Sequence, residues 1–249
     1  MAHPEAHSGY ILGCSHSDRF GMVEMQIAFI GDSLTAGKPG VSYFKILQCE
    51  LPQDELVNMG RGNETVPSLR KRLYRTGFPG HFDLAFLWIG VNDVTSKVNP
   101  VMRLLGFRPA KDMAEFQTCY REILDLVTRQ ATRVMLVPPV LKGEDLQSQW
   151  NWQMDSISRV IRQLALTYKG TSFLDLRKNF TSGLAGRATS DYLHENPLTV
   201  ARDLLGSFGD TYVDKKSARR GLYLTLDGVH LNSRGARMAA DAFIKVISG

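Results

Sequence analysis

The chain has 249 residues, enough for one sizeable core, and its 43% hydrophobic and 22% charged content is that of a folded globular protein, not a disordered one. No apolar run reaches the roughly 18 residues that a spanning helix needs, so no membrane span is expected. The formal net charge of +5 is mild, and with no Arg/Lys block interleaved with aromatics it argues for solubility and against a nucleic-acid partner.

The first 25 residues are polar and contain several His and Gly. They lack a basic start followed by an apolar stretch, so they read as a loosely held arm and not as a secretory signal; a cytoplasmic location is expected. One domain, residues 26–249, follows. Gln26 to Ile30, Glu55 to Asn58, Asp83 to Ile89, Arg133 to Val137 and Thr171 to Leu174 are short apolar runs, the pattern of strands buried on both faces of a parallel sheet. Helical spacing covers Ser42 to Leu51, Val66 to Arg75, Lys111 to Gln130, Asp145 to Tyr168 and Asn232 to Ile247, the last with Ala236, Ala239, Ala240, Phe243 and Val246 available for an apolar face. Strand–helix alternation predicts an α/β, doubly wound parallel sheet with helices on both faces. Such sheets carry their reactive groups at the carboxyl ends of the strands.

Two stretches break the rhythm. Arg177 to Thr225 is rich in Gly, Ser, Thr and charge, with one helix expected from Asn196 as N-cap and Pro197 behind it; a connection this long reads as a substrate-side insertion. Ser96 to Pro109 is a second irregular stretch, a candidate pocket wall. Cys14, Cys49 and Cys119 define neither a metal pattern nor a disulfide framework. Cys49 and Cys119 fall in helical patterns and are expected to pack as small hydrophobes.

Four segments carry candidate chemistry, each weak alone. Gly31-Asp32-Ser33-Leu34 places a serine just past the first strand. The run to Gly37-Lys38 also resembles a phosphate-binding loop, but it has one residue too many between its glycines, and Pro39 stands where a magnesium-binding hydroxyl is required. Ser42-x-x-Lys45 lies on a predicted helix without its partner motifs and is set aside. Asn58 to Thr65 follows the second strand, where Gly60 and Gly62 permit a tight turn with an N–H pointing outward. Gly90-Val91-Asn92-Asp93 follows the third strand and offers an amide for a developing negative oxygen. Asp227-Gly228-Val229-His230 precedes the final helix; an acid three residues before a histidine can hold Nδ1–H and leave Nε2 to take a proton from a serine. Of the six histidines only His230 has an acid so placed; His3, His7 and His16 lie in the arm, His81 in a turn and His194 in the insertion.

Taken together, in this order and behind three strands and before the last helix, the segments resemble the four blocks of the GDSL/SGNH hydrolase family. The resemblance implies a flavodoxin-like three-layer α/β/α sandwich and ester hydrolysis without metal or organic cofactor. It carries the nucleophile onto Ser33, the base onto His230 and the orienting acid onto Asp227. The oxyanion donors it implies are the Ser33 N–H, the Asn92 side chain and a second-block N–H. Related sequences place glycine directly before an acid–threonine pair, where this chain has Asn63. Gly62 is the first choice for that donor and Asn63 the alternative, since Asn tolerates left-handed geometry. The expected partner is a small-molecule ester, with short-chain acyl and acetyl esters preferred, lysophospholipids or thioesters behind them, and a non-catalytic carbohydrate or acyl binder as the remaining alternative.

Overall fold

The computed structural model describes residues 24–95, 108–193 and 209–249. Five strands, β1 (Gln26–Gly31), β2 (Glu55–Gly60), β3 (Phe82–Trp88), β4 (Ala131–Val137) and β5 (Thr171–Phe173), form one sheet in the order β2-β1-β3-β4-β5. Every pairing is parallel. This is the flavodoxin-like order, in which the chain winds outward from β1 in both directions and leaves a crevice at the carboxyl ends of β1 and β3. The two central strands are apolar almost throughout and buried, as strands covered on both faces must be. β2 lies at an edge and is only partly buried.

Nine helices are described: α1 (Ser33–Ala36), α2 (Tyr43–Glu50), α3 (Val66–Thr76), α4 (Val91–Thr95), α5 (Met113–Val127), α6 (Gln149–Thr167), α7 (Leu176–Leu184), α8 (Asp210–Arg219) and α9 (Ser233–Ile247). Their starts follow from local chemistry. Thr65 and Ser68 make a reciprocal capping box at α3, while Asp112, Ser148 and Asn232 cap α5, α6 and α9 with side-chain oxygens. α9 docks on α2 and α7, and α3 packs on α5. Ala236, Ala239, Ala240 and Phe243 of α9 are buried as their spacing predicts, but Ile247 takes the last core position and Val246 is only half-buried.

Aromatic side chains fill the layer between the sheet and α2 and α9. Phe29 stacks on its register partner Phe86 with ring centroids 5.0 Å apart, and Phe243 meets Phe86 edge-on at 4.8 Å. Tyr43 and Trp88 close the cluster. Each ring so buried contributes about 1.5–3 kcal/mol, which locks the final helix, and the loop before it, against β1 and β3.

The reading of Arg177 to Thr225 as an insertion needs correcting at its start. Leu176, Phe180 and Leu184 recur every four residues, Asp175 caps the helix by accepting from Lys178 N–H, and the three apolar side chains enter the core as α7. α8 forms in the same stretch. Asn196 and Pro197, and nearly all of Ser96 to Pro109, lie outside the described residues. Cys119 is a buried free thiol, as expected; Cys49, by contrast, is disulfide-bonded.

Candidate active site

Ser33 sits where β1 stops and the chain bends sharply into α1. The bend depends on close approach: a Cβ on Gly31 would lie 2.3 Å from the Trp88 carbonyl oxygen and 2.4 Å from Thr35 Oγ1. Asp32 caps the short helix by accepting from Leu34 N–H at 3.0 Å, and Gly37, at φ 74°, ends it. The second block packs onto the same turn. Asn58 Nδ2 donates to Thr35 O at 2.7 Å, Arg61 N–H donates to Gly31 O at 3.0 Å, and a Cβ on Gly60 would meet Ala36 N at 2.3 Å.

Beyond Gly60 the backbone reverses at Asn63, whose φ of 64° is the only positive value on a non-glycine residue among those described. Gly62 has no such φ, and a Cβ there would meet nothing within 4 Å. The left-handed position is therefore the one before Glu64-Thr65. Glu64 is buried and gripped by the Arg72 fork, Nε to Oε1 at 2.8 Å and Nη2 to Oε2 at 2.5 Å, and Arg72 also donates to Met59 O. Asn92, on α4, donates from Nδ2 to Glu64 O at 2.9 Å, which orients its amide and ties the third block to the second. Its neighbour Asp93 accepts from Val66 N–H and Ala110 N–H, a bracing position.

The fourth block swings in from the other end of the chain. His230 Nε2 lies 2.9 Å from Ser33 Oγ, and His230 Nδ1 lies 2.8 Å from Asp227 Oδ2. The second carboxylate oxygen of Asp227 accepts from the N–H groups of Val229 and His230, so the acid holds both the ring and its backbone. An antiparallel bridge between Thr225 and Leu231 closes the loop, and Val41 N–H donates to Leu231 O at 2.8 Å. At Gly40 (φ 98°) a Cβ would come 2.5 Å from that same carbonyl oxygen.

The two acids are in opposite electrostatic states. Burial pushes the Asp32 carboxyl up to about 7, with the Leu34 N–H and the His230 charge offsetting only part of the cost. Asp227 is as deeply buried, but the His230 charge and its hydrogen bonds outweigh the desolvation and hold it near 2. Asp227 thus faces the imidazole as a carboxylate.

The structure brings Ser33, His230 and Asp227 into one bonded row. It sets Asn92 beside the second block and puts Gly62 and Asn63 on an exposed turn. His81 hydrogen-bonds Thr132 in a distant turn. Asn58 and Glu64 stood in the second block with no bracing role assigned, and Arg72 and Glu144, which receives the N–H groups leading into the Asp227 loop, were missed. Arg72 stands eight positions after Glu64 on the adjoining helix, a spacing that hints at the pair; nothing near Glu144 points to its partners. Among the described residues no group of His, Cys, Asp or Glu has a metal-holding arrangement, and no helix is long and apolar enough to cross a membrane.

Four loops thus converge at the carboxyl edge of a doubly wound parallel sheet and put a serine, a histidine and an aspartate in hydrogen-bonded sequence. The family model described as GDSL-like lipase/acylhydrolase matches residues 29–238, and the chain belongs to that family, an ester-hydrolase family. No curated protein matches it. Solved structures share the fold: LAE5, an α/β hydrolase from the metagenome of Lake Arreo, Spain, is 19% identical, with a TM-score of 0.66 over 92% of this chain and 97% of its own. The acetyl xylan esterase AlAXEase is 24% identical, with a TM-score of 0.64 over 89% of this chain and 99% of its own. Axe2, an acetylxylan esterase from Geobacillus stearothermophilus, is 19% identical, with a TM-score of 0.65 over 92% and 96%. Catalytic mutants of Axe2 replace a serine, an aspartate and a histidine, the last two being three positions apart.

Proposed function

We propose that this ester hydrolase works through an acyl-serine on Ser33, with His230 as base, Asp227 as orienting acid and short-chain acyl esters, acetyl esters first, as substrates. The observation that carries the reading is the row from Ser33 Oγ to Nε2, 2.9 Å, and from Nδ1 to the buried Asp227 carboxylate, 2.8 Å. A carboxylate at Nδ1 fixes that nitrogen's proton and leaves the Nε2 lone pair facing the hydroxyl. Ser33 Oγ attacks the ester carbonyl as its proton passes to Nε2. The tetrahedral oxyanion is received by the Ser33 N–H, the Asn92 amide and a second-block N–H. We place that third donor at Asn63 ahead of Gly62, because the left-handed backbone falls where related sequences carry glycine. Collapse expels the alcohol, which takes the proton from Nε2. Water then attacks the acyl-serine with His230 again as base, releasing the carboxylate and restoring Ser33.

The serine, aspartate and histidine replaced in the Axe2 catalytic mutants support the assignment, since their three-residue spacing is that of Asp227 and His230. The acetylxylan esterase neighbours favour acetyl groups on sugars within the short-chain class. An alkyl fluorophosphonate, read by mass spectrometry, is expected to label Ser33 and nothing else. A folded chain that stays unlabelled and cleaves no p-nitrophenyl ester is a binder, and the reading is lost. In a p-nitrophenyl series the highest kcat/KM is expected at acetate to butyrate; a maximum at long chains moves the substrate to the lysophospholipid or thioester class.

A further inference from the structure

Glu144 lies on the loop between β4 and α6 and is buried, a place a carboxylate holds only when its acceptor sites are filled. They are filled here. Oε1 accepts from Leu224 N–H, Thr225 N–H and Thr225 Oγ1, each at 2.8 Å, and Oε2 accepts from Tyr223 N–H at 2.7 Å. A carboxylate has about four acceptor sites and no hydrogen, and four donors meet it. All four belong to the three residues that lead into the Asp227–His230 loop.

The connection continues past Glu144. Thr225 Oγ1 accepts from Gly228 N–H at 3.1 Å, and Gly143 N–H donates to Gly228 O at 2.8 Å. Both sides of the turn that carries Asp227 are therefore tied to residues 143–144. That platform is itself fixed. The buried Asn151 donates to the carbonyls of Lys142, Gly143 and Asp145, and Arg177 donates to Asn151 while its Nε meets Asp155.

We propose, resting on the serine-esterase reading, that Glu144 is a positioning residue for the Asp227–His230 pair. Its carboxylate gathers the strand entering the loop and sets the carboxyl of Asp227 at the height from which it aims the imidazole at Ser33. A carboxamide cannot replace it, because Gln has one acceptor oxygen and would point N–H groups at backbone N–H groups.

The test compares Glu144→Gln, Thr225→Val and Thr225→Ser in the full chain. The readouts are p-nitrophenyl acetate turnover, fluorophosphonate labelling of Ser33, and the low-field proton resonance of the imidazole Nδ1–H. Glu144→Gln and Thr225→Val are expected to lower kcat about tenfold to a hundredfold, leave KM unchanged, slow labelling by the same factor and shift or remove the resonance. Thr225→Ser keeps the hydroxyl and is expected to retain the wild-type kcat, KM, labelling rate and resonance. A folded Glu144→Gln that loses melting temperature but keeps its kcat and resonance overturns the inference; if that variant does not fold, the Thr225→Val and Thr225→Ser pair decides by the same criteria. If wild type itself is not labelled at Ser33, the esterase reading fails first, and the resonance alone still reports whether Glu144 holds the ring.

Discussion

The Ser33 half of the site and the His230 half are fixed by different physics. Ser33 hangs on the sheet: β1 ends, Gly31 and Gly60 let two strand tips and α1 press together, and backbone contacts leave the turn no room to move. His230 hangs on polar side chains. Glu144, Ser217 and Asn232 receive or supply the hydrogen bonds that shape residues 222–232, and the loop is ordered only while those buried groups are paired. Steric fixing rests on backbone so close that no added side-chain atom fits. Polar fixing rests on buried hydrogen-bond partners and fails when one of them is removed.

The largest effect should come from removing the atom the two halves share. Ser33→Ala is expected to lower ester turnover about 10⁴-fold or more, measured against a matched melting temperature; activity within tenfold of wild type would separate chemistry from geometry. Next come the two acids, one in each half, which titrate in opposite senses. Asp32 stands at about 7 against an ordinary 3.8, so the folded chain keeps a proton that the unfolded chain gives up. Stability from this group is full below about pH 4 and is lost as pH rises to about 7, a difference of about 4 kcal/mol. Asp32→Asn still accepts from Leu34 N–H, so its advantage over wild type in urea denaturation should grow across that window. Asp227, held near 2, works the other way: its contribution is present above about pH 4 and lost as pH falls toward 2. An Asp32→Asn advantage that does not change with pH would sink the contrast.

Asn92→Ala removes one proposed oxyanion donor and should lower kcat by about 10²- to 10³-fold with the fold intact. The smallest pair sharpens the steric half. Gly60→Ala forces a Cβ to 2.3 Å from Ala36 N and should cost about 1–3 kcal/mol in chemical denaturation. Gly62→Ala enters open space and should stay within about 0.5 kcal/mol of wild type.

Legibility in the sequence follows the same division. The sheet could be read because Ile27 to Ile30 and Leu84 to Ile89 are apolar runs too short for helices, and burial on both faces demands such runs. Ser33, Asn92 and the Asp227–His230 spacing could be read because they follow strands or precede a capped helix. α1 and α4 were missed because four or five residues carry no periodicity. α7 was missed although Asp175 and the four-residue recurrence of Leu176, Phe180 and Leu184 announced it; the polar residues between them masked the pattern. Glu144 could not be found, because a glutamate in a Lys-Gly-Glu-Asp loop looks like any solvated turn until the backbone it serves is placed against it.

The short strap through Gly40 and Val41 has a bearing on motion. By bonding to the carbonyl just past His230, it joins a segment from the first quarter of the chain to one from the last tenth. Fraying of α9 from its first turn therefore strains a contact that leads back to the bend carrying Ser33. Opening of the two segments is expected to be coupled, with amide exchange at Val41 and at the start of α9 slowed together.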